Sequence, residues 1–261
     1  MPAAAGFSLA LSYDDAVAVL SLNQPARRNA QNPLTWTSML AAVNALPGTV
    51  QVLLVRGEGS SFSAGLDRRL LTPDGIDGQP GPLELAAMPA DQADREIAGY
   101  QQAFGVLARP GLVSIALVQG HAVGAGFQLA LACDLRIAAE DAQFTMAEVS
   151  LGLVPDLGGT KRLVELVGYS RAAGICLTGR RVPAAEAMGI GLVTEVVPVE
   201  QLAAAAERYL SQLLALPRTA VIEIKALLLA AADRDQQQQE VAERAAQYRQ
   251  LRGLAGLDVE A

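Results

Sequence analysis

The stretch from Ser114 to Asp134, SIALVQGHAVGAGFQLALACD, constrains the chain more than any other. Ser114 leads into the apolar run Ile115–Val118, which reads as a buried strand. Glycines follow at 120, 124 and 126, and Phe127, Leu129, Ala130 and Ala132 read as a mostly apolar helix. A strand that turns through glycine into a helix start leaves backbone N–H groups unpaired. The helix dipole adds partial positive charge there. Such a turn can hold an anion or a developing oxyanion with backbone alone. It can equally be a plain strand–turn–helix crossover whose glycines serve only packing. The segment also raises a membrane question, because Pro110–Cys133 has no Asp, Glu, Lys or Arg and is long enough to span a bilayer. Gln119, His121 and Gln128 lie inside it, however, and glycines break it in two; polar side chains at bilayer depth are costly. It reads as core, with no membrane partner.

The 261 residues suffice for one large domain, or one domain with an appendage. Aromatics make up only 4%, so the core must be built from Ala, Leu and Val. A net charge of -7 and the lack of a long Lys/Arg run exclude a surface that tracks nucleic acid. Cys133 and Cys176 are isolated in apolar segments and read as buried free thiols, as in a reducing cytosol. The opening MPAAAGFSLA lacks a charged region followed by an apolar one, so a cytoplasmic location is expected.

Along the chain, Val17–Leu22 and Val50–Arg56 read as strands and Leu34–Leu46 as a helix between them. Asp67, closing GEGSSFSAGLD, is placed to cap the next segment. Thr72–Pro89, rich in Pro and Gly, reads as a surface loop. Asp91–Ala108 is a predicted helix, Leu135–Ala138 a strand, Gly158–Val167 and Arg171–Thr178 short helices, and Leu192–Val197 a last strand-like run. From Glu200 the chain reads as helical, with a new helix at Pro217 and Gln236–Gln239 on an exposed face. Strands alternating with helices, then helices alone, argue an α/β core over 1–199 with a helical region over 200–261.

Elimination narrows the chemistry. His121 is the single histidine and reads as a core or turn residue rather than a base. No Ser sits in a GxSxG elbow, two distant Cys and one His do not make a zinc site, and both Gly-rich runs miss the dinucleotide and phosphate-loop spacings. Backbone donors and carboxylates remain. Glu148 lies in an apolar neighbourhood, where burial would raise its pKa toward the range useful for proton transfer; the plainer reading is a partly exposed salt-bridge partner. Asp156 precedes Gly158–Gly159, and the local pattern favours a helix cap for it.

Four segments together match a known family: QPARRNAQN (24–32), SSFSAGLD (60–67), the run from Val118 to Leu163, and GRRVPAAEAMGIGLVTEVVP (179–198). In order and content they resemble the crotonase superfamily, the enoyl-CoA hydratase/isomerase family. The resemblance implies a spiral of ββα units with C-terminal helices that drive trimerisation, often as dimers of trimers. It implies an acyl-CoA thioester as substrate, with coenzyme A part of that substrate and no separate cofactor or metal. It places the two N–H groups that hold the thioester oxygen at Leu66 and Ala125. Ala30, Ala64, Leu66 and Arg68 correspond to the wall that binds CoA, and Arg27 or Arg28 suits its phosphates on charge.

The chain departs from the hydratase pattern at one position. Hydratases of the family use two glutamates; the second corresponds to Glu148, but the first corresponds to Gln128, which can act neither as acid nor as base. Losing one such partner typically costs about 10²–10⁴-fold. The resemblance therefore implies double-bond isomerisation by Glu148, with Asp156 at the position where dienoyl-CoA isomerases carry a second acid. The alternatives are a weak hydratase, in which Gln128 only positions water, and a non-catalytic acyl-CoA binding protein.

Overall fold

The computed structural model describes residues 6–257. Strands β1 (Phe7–Ser12) and β2 (Val17–Leu22) form an antiparallel hairpin, followed by α1 (Pro33–Asn44) and β3 (Val52–Gly57). Helices α2 (Pro82–Ala87) and α3 (Ala90–Gly105) lead to β4 (Val113–Val118), β5 (His121–Val123), α4 (Ala125–Ala132), β6 (Leu135–Ala139) and β7 (Gln143–Thr145). Then come α5 (Gly159–Val167), α6 (Tyr169–Thr178), β8 (Arg181–Pro183), α7 (Ala184–Gly189) and β9 (Glu195–Val197). Helices α8 (Leu202–Leu214), α9 (Arg218–Ala230) and α10 (Gln236–Leu254) complete the described chain.

A six-stranded sheet runs β1-β2-β3-β4-β6-β9, parallel except for the opening hairpin. Both of its faces are covered, which explains why its strands read as unbroken apolar runs rather than alternating ones. Alternate residues Ala18, Leu20, Leu53, Val55, Ala116, Val118 and Ala138 enter a large core with α1, α3 and α4. Their neighbours Val17, Val52, Leu54, Ile115, Leu117 and Ile137 pack beneath Ala205, Ala206 and Leu210 of α8. Helix α9 is pinned to the sheet by a buried ammonium. Lys225 donates to the Leu112 carbonyl and, at 2.7 Å, to Asp134 Oδ2, which also accepts the Ser114 N–H at 2.7 Å. Ile224, Leu228, Leu251 and Leu254 of α9 and α10 remain exposed.

A second sheet, β5-β7-β8, has strands of three residues each, too short to carry a hydrophobic period. The segment Ser61–Asp67 is laid against its β5 edge: Ser63 N–H donates to the His121 carbonyl at 2.8 Å, and Val123 N–H to the Ser63 carbonyl at 3.0 Å. On the other side of that segment lies 28–31, joined by Ala64 N–H to the Arg28 carbonyl and by a bridge between Gln31 and Leu66. Asn29, in the left-handed conformation that Asn tolerates, holds this layer through side-chain bonds to the Glu58 and Ser61 carbonyls. Thr72–Pro89 is not all loop, contrary to the expectation from its breakers: α2 starts at Pro82, whose missing N–H costs nothing at a first helical position. Among the described residues no helix is long and apolar enough to cross a membrane.

Candidate active site

The central stretch forms the predicted strand, turn and helix, and the turn opens onto a cavity of about 290 Å³. Gly124, at φ 51° and ψ -119°, adopts a backbone closed to ordinary side chains and aims the start of α4 at that cavity. Gly65 allows the other approach. At φ +79° it sits so near β5 that a Cβ there would lie 2.3 Å from the Val123 carbonyl oxygen and 3.3 Å from the Ala125 nitrogen. The bridge across to Gln31 uses the Gly65 carbonyl and the Asp67 N–H, so the N–H of Leu66 faces away from that strand. Neither the Leu66 nor the Ala125 N–H has an acceptor among the described residues, and both residues line the cavity.

Glu148 begins a short 3₁₀ turn, Glu148–Leu151, and its carboxylate enters the same cavity. A Cβ placed on Gly124 would lie 3.3 Å from Glu148 Oε1, so the carboxylate sits directly over the glycine that precedes Ala125. Oε1 accepts a hydrogen bond from Gln128 Nε2 at 2.7 Å; Oε2 is buried with no partner among the described residues. Burial raises the carboxyl above its ordinary value, against the hydrogen bonds it accepts, and the charge of Asp156 adds to the rise. The salt-bridge reading of Glu148 is thus corrected: no cation pairs with it among the described residues, because its side chain turns into the apolar cavity rather than outward.

Asp156 also lines the cavity, and burial raises its pKa as well. It does not cap α5, as its position before two glycines suggested. That role falls to Gln128, whose Oε1 accepts the N–H of Leu157 at 3.0 Å and of Gly159 at 3.3 Å. A side chain from α4 therefore occupies the place that the local sequence offered to Asp156. The pairing spans about thirty residues, and no local pattern announces it.

Of the proposed CoA wall, Ala64, Leu66 and Arg68 line the cavity, whereas Ala30 is half-buried in the adjoining strand-like segment outside its lining. Arg27 is committed to the buried carboxylate of Asp67, which Arg69 also pairs at 2.9 Å. Asp67 does cap the turn after it, accepting the Arg69 N–H at 3.1 Å. Arg28 and Arg68 are exposed and have no carboxylate partner among the described residues, so of the two candidate arginines Arg28 is the one left unoccupied. The far wall is apolar and aromatic, with Trp36 and Tyr100 rings 5.0 Å apart. Sequence reasoning did not single out this pair. Their helices reveal only that they are buried, not what they face.

The remaining candidates lie elsewhere. His121 is on β5, its Nδ1 3.5 Å from Ser61 Oγ, and does not line the cavity. Cys133 is buried, its thiol pushed up to about 12 by desolvation, and Cys176 is half-buried; both are free. Among the described residues no group of three or more His, Cys, Asp or Glu could hold a metal ion.

A profile of the enoyl-CoA hydratase/isomerase family matches residues 12–252. The chain belongs to this family. Among its relatives, the crotonyl-CoA hydratase of Syntrophomonas wolfei is 37% identical over 75% of this chain and 71% of its own. The mitochondrial Delta(3,5)-Delta(2,4)-dienoyl-CoA isomerase of Homo sapiens is 34% identical over 70% of this chain and 56% of its own. Solved structures agree over the whole length. One described as "a putative enoyl-CoA hydratase" from Thermobifida fusca YX, in complex with CoA, superposes with a TM-score of 0.91 at 44% identity, covering 97% of this chain and 96% of its own. The same protein in complex with acetoacetyl-CoA gives 0.91 at 45%, covering 98% and 97%. The protein is thus an enzyme of the enoyl-CoA hydratase/isomerase family with the crotonase fold.

Proposed function

We propose that the protein binds acyl-CoA thioesters and moves a carbon–carbon double bond of the acyl chain, with Glu148 as the single proton carrier. Binding of CoA and acetoacetyl-CoA by the Thermobifida fusca YX relative supports the substrate class. The observation that carries the chemistry is the Glu148 carboxylate, buried and desolvated, with one oxygen tied to Gln128 and the other unpartnered over the start of α4.

In this reading the N–H groups of Leu66 and Ala125 donate to the thioester oxygen, and Ala64, Leu66, Arg68, Ala30 and Arg28 border the CoA moiety. Glu148 removes a proton from C2 of a 3-enoyl thioester. The C–H electron pair moves into a C1–C2 double bond, and negative charge gathers on the thioester oxygen, where fixed donors bind it more tightly than in the ground state. The protonated Glu148 then returns the proton to C4: the C3–C4 π pair forms the new C4–H bond, the C1–C2 pair shifts to C2–C3, the thioester carbonyl re-forms from the enolate oxygen, and the conjugated 2-enoyl thioester results with nothing consumed. Burial raises the pKa of Glu148, which makes it a stronger base toward the C2 proton than an exposed carboxylate. Asp156, on the same cavity, is placed to serve a longer conjugated substrate.

Hydration is the second reading, favoured by relatives such as the crotonyl-CoA hydratase. Against it, Gln128 spends its oxygen on two backbone N–H groups and a hydrogen on Glu148, which leaves it little capacity to hold water. A non-catalytic binder gains nothing from an unpartnered carboxylate in an apolar cavity, since such burial costs stability. The exposed apolar residues of α9 and α10 support assembly into trimers or dimers of trimers. The test is conversion of a 3-enoyl-CoA to the conjugated isomer, followed by the new absorbance, alongside hydration of crotonyl-CoA. Wild type should isomerise and Glu148→Gln should not; isomerisation surviving in Glu148→Gln would overturn the reading.

A further inference from the structure

Gln128 stands where a second acid would be expected, and it is 1% exposed with all its strong contacts internal. Its Oε1 faces two backbone donors, Leu157 N–H and Gly159 N–H. A flipped amide would set its NH₂ against both of those donors and its oxygen against Glu148 Oε1, losing three hydrogen bonds at once. Only one orientation is compatible with the surroundings, and it points an N–H at Glu148.

We propose that Gln128 is a positioning residue: its amide, locked by the first N–H groups of the α5 region, holds Glu148 Oε1 and so leaves Oε2 as the oxygen that carries the proton. This rests on the reading of Glu148 as the base. The consequences follow from ordinary hydrogen-bond chemistry. A donor to the charged form favours that form, so Gln128 works against the desolvation that raises Glu148. It favours the ionised form of the base without adding a further charge to the cavity. The titratable groups that face Glu148 are Asp156, from the loop before α5, and Cys176, from α6, with Tyr100 of α3 beyond Asp156. None of them donates a hydrogen bond to the carboxylate, so the Gln128 amide is the one neutral group that holds it among the described side chains.

Two variants separate this role from simple capping. Gln128→Met removes both the cap and the donor; Gln128→Glu keeps an acceptor for Leu157 and Gly159 but brings a carboxylate oxygen to Glu148. Both should lift the acid limb of the kcat–pH profile for isomerisation by about 1 to 2 pH units, the first through loss of a charge-assisted donor and the second because two adjacent carboxyls share a proton. KM for the thioester should stay unchanged. Titration of the ¹³C-labelled Glu148 carboxyl, assigned by its loss in Glu148→Gln, should move by the same amount. It needs no turnover, so it decides the matter even if the isomerase reading fails. Wild-type midpoints in the folded variants would reduce Gln128 to a helix cap and overturn the proposal. Should Gln128→Met not fold, Gln128→Leu, of similar volume and equally without a donor, takes its place in the titration.

Discussion

Backbone donors escape side-chain mutagenesis, but the glycine that permits their approach does not. Replacing Gly65 with Ala puts a methyl group 2.3 Å from the Val123 carbonyl oxygen, far inside the roughly 3.5 Å at which such atoms attract. The Ala64–Leu66 segment must then move away from β5 by about 1 Å, and the Leu66 N–H moves with it. The residue is also held at φ +79°, which costs a side chain about 1–2 kcal/mol. Gly168→Ala provides the control. Its φ of +78° is likewise one that a side chain disfavours, yet a Cβ there meets nothing within 4 Å. Both variants should lose stability in urea denaturation. Only Gly65→Ala should lose turnover: a displacement near 1 Å is worth about 10²-fold, or ~2.7 kcal/mol of barrier. The assay is kcat for 3-enoyl-CoA isomerisation at saturating substrate, measured well below the melting temperature. Wild-type kcat in Gly65→Ala, or an equal loss in Gly168→Ala, would refute the idea that Leu66 acts through its position.

Two further predictions concern stability. Glu148 has its folded pKa raised, chiefly by burial, so the folded state binds that proton more tightly than the unfolded chain does. Its contribution is most favourable at low pH and is lost as pH rises through the folded pKa, so Glu148→Gln should melt higher than wild type at pH 8 and lose that advantage towards pH 4. Lys225→Met should strip Asp134 of its cation, leaving a partly buried carboxylate on the β4 edge. A loss of about 3 kcal/mol in urea denaturation is expected, and a loss under 1 kcal/mol would mean that α9 docks by apolar contacts alone.

The large sheet was legible because its strands are buried on both faces and its helices are long; Val17–Leu22, for one, matches the predicted strand residue for residue. What escaped notice was short or non-local. The strands β5, β7 and β8 span three residues each and carry no period, yet they set the edge against which Gly65 and Leu66 lie. Within the breaker-rich stretch, Pro82 followed by Glu84 was a helix-start signal hidden among other prolines. At the site, the glycines of the central turn and the isolation of Glu148 among apolar residues each left two readings open, and only the resemblance to the family favoured a site. The roles of Asp156 and Gln128 were not legible, because a helix start can be capped by any oxygen that reaches it, and here the oxygen comes from another helix.

Helix α4 supplies both the Ala125 N–H at its first turn and, three residues on, the amide that grips Glu148, and all eight of its residues are buried. In the proposed reaction, one donor to the thioester oxygen and the amide that orients the proton carrier are therefore mounted on one rigid rod. Vibration or slow drift of that rod carries the two together and leaves their spacing intact. Heat should consequently spare the chemistry until the rod itself comes loose, so inactivation and cooperative melting are expected to coincide.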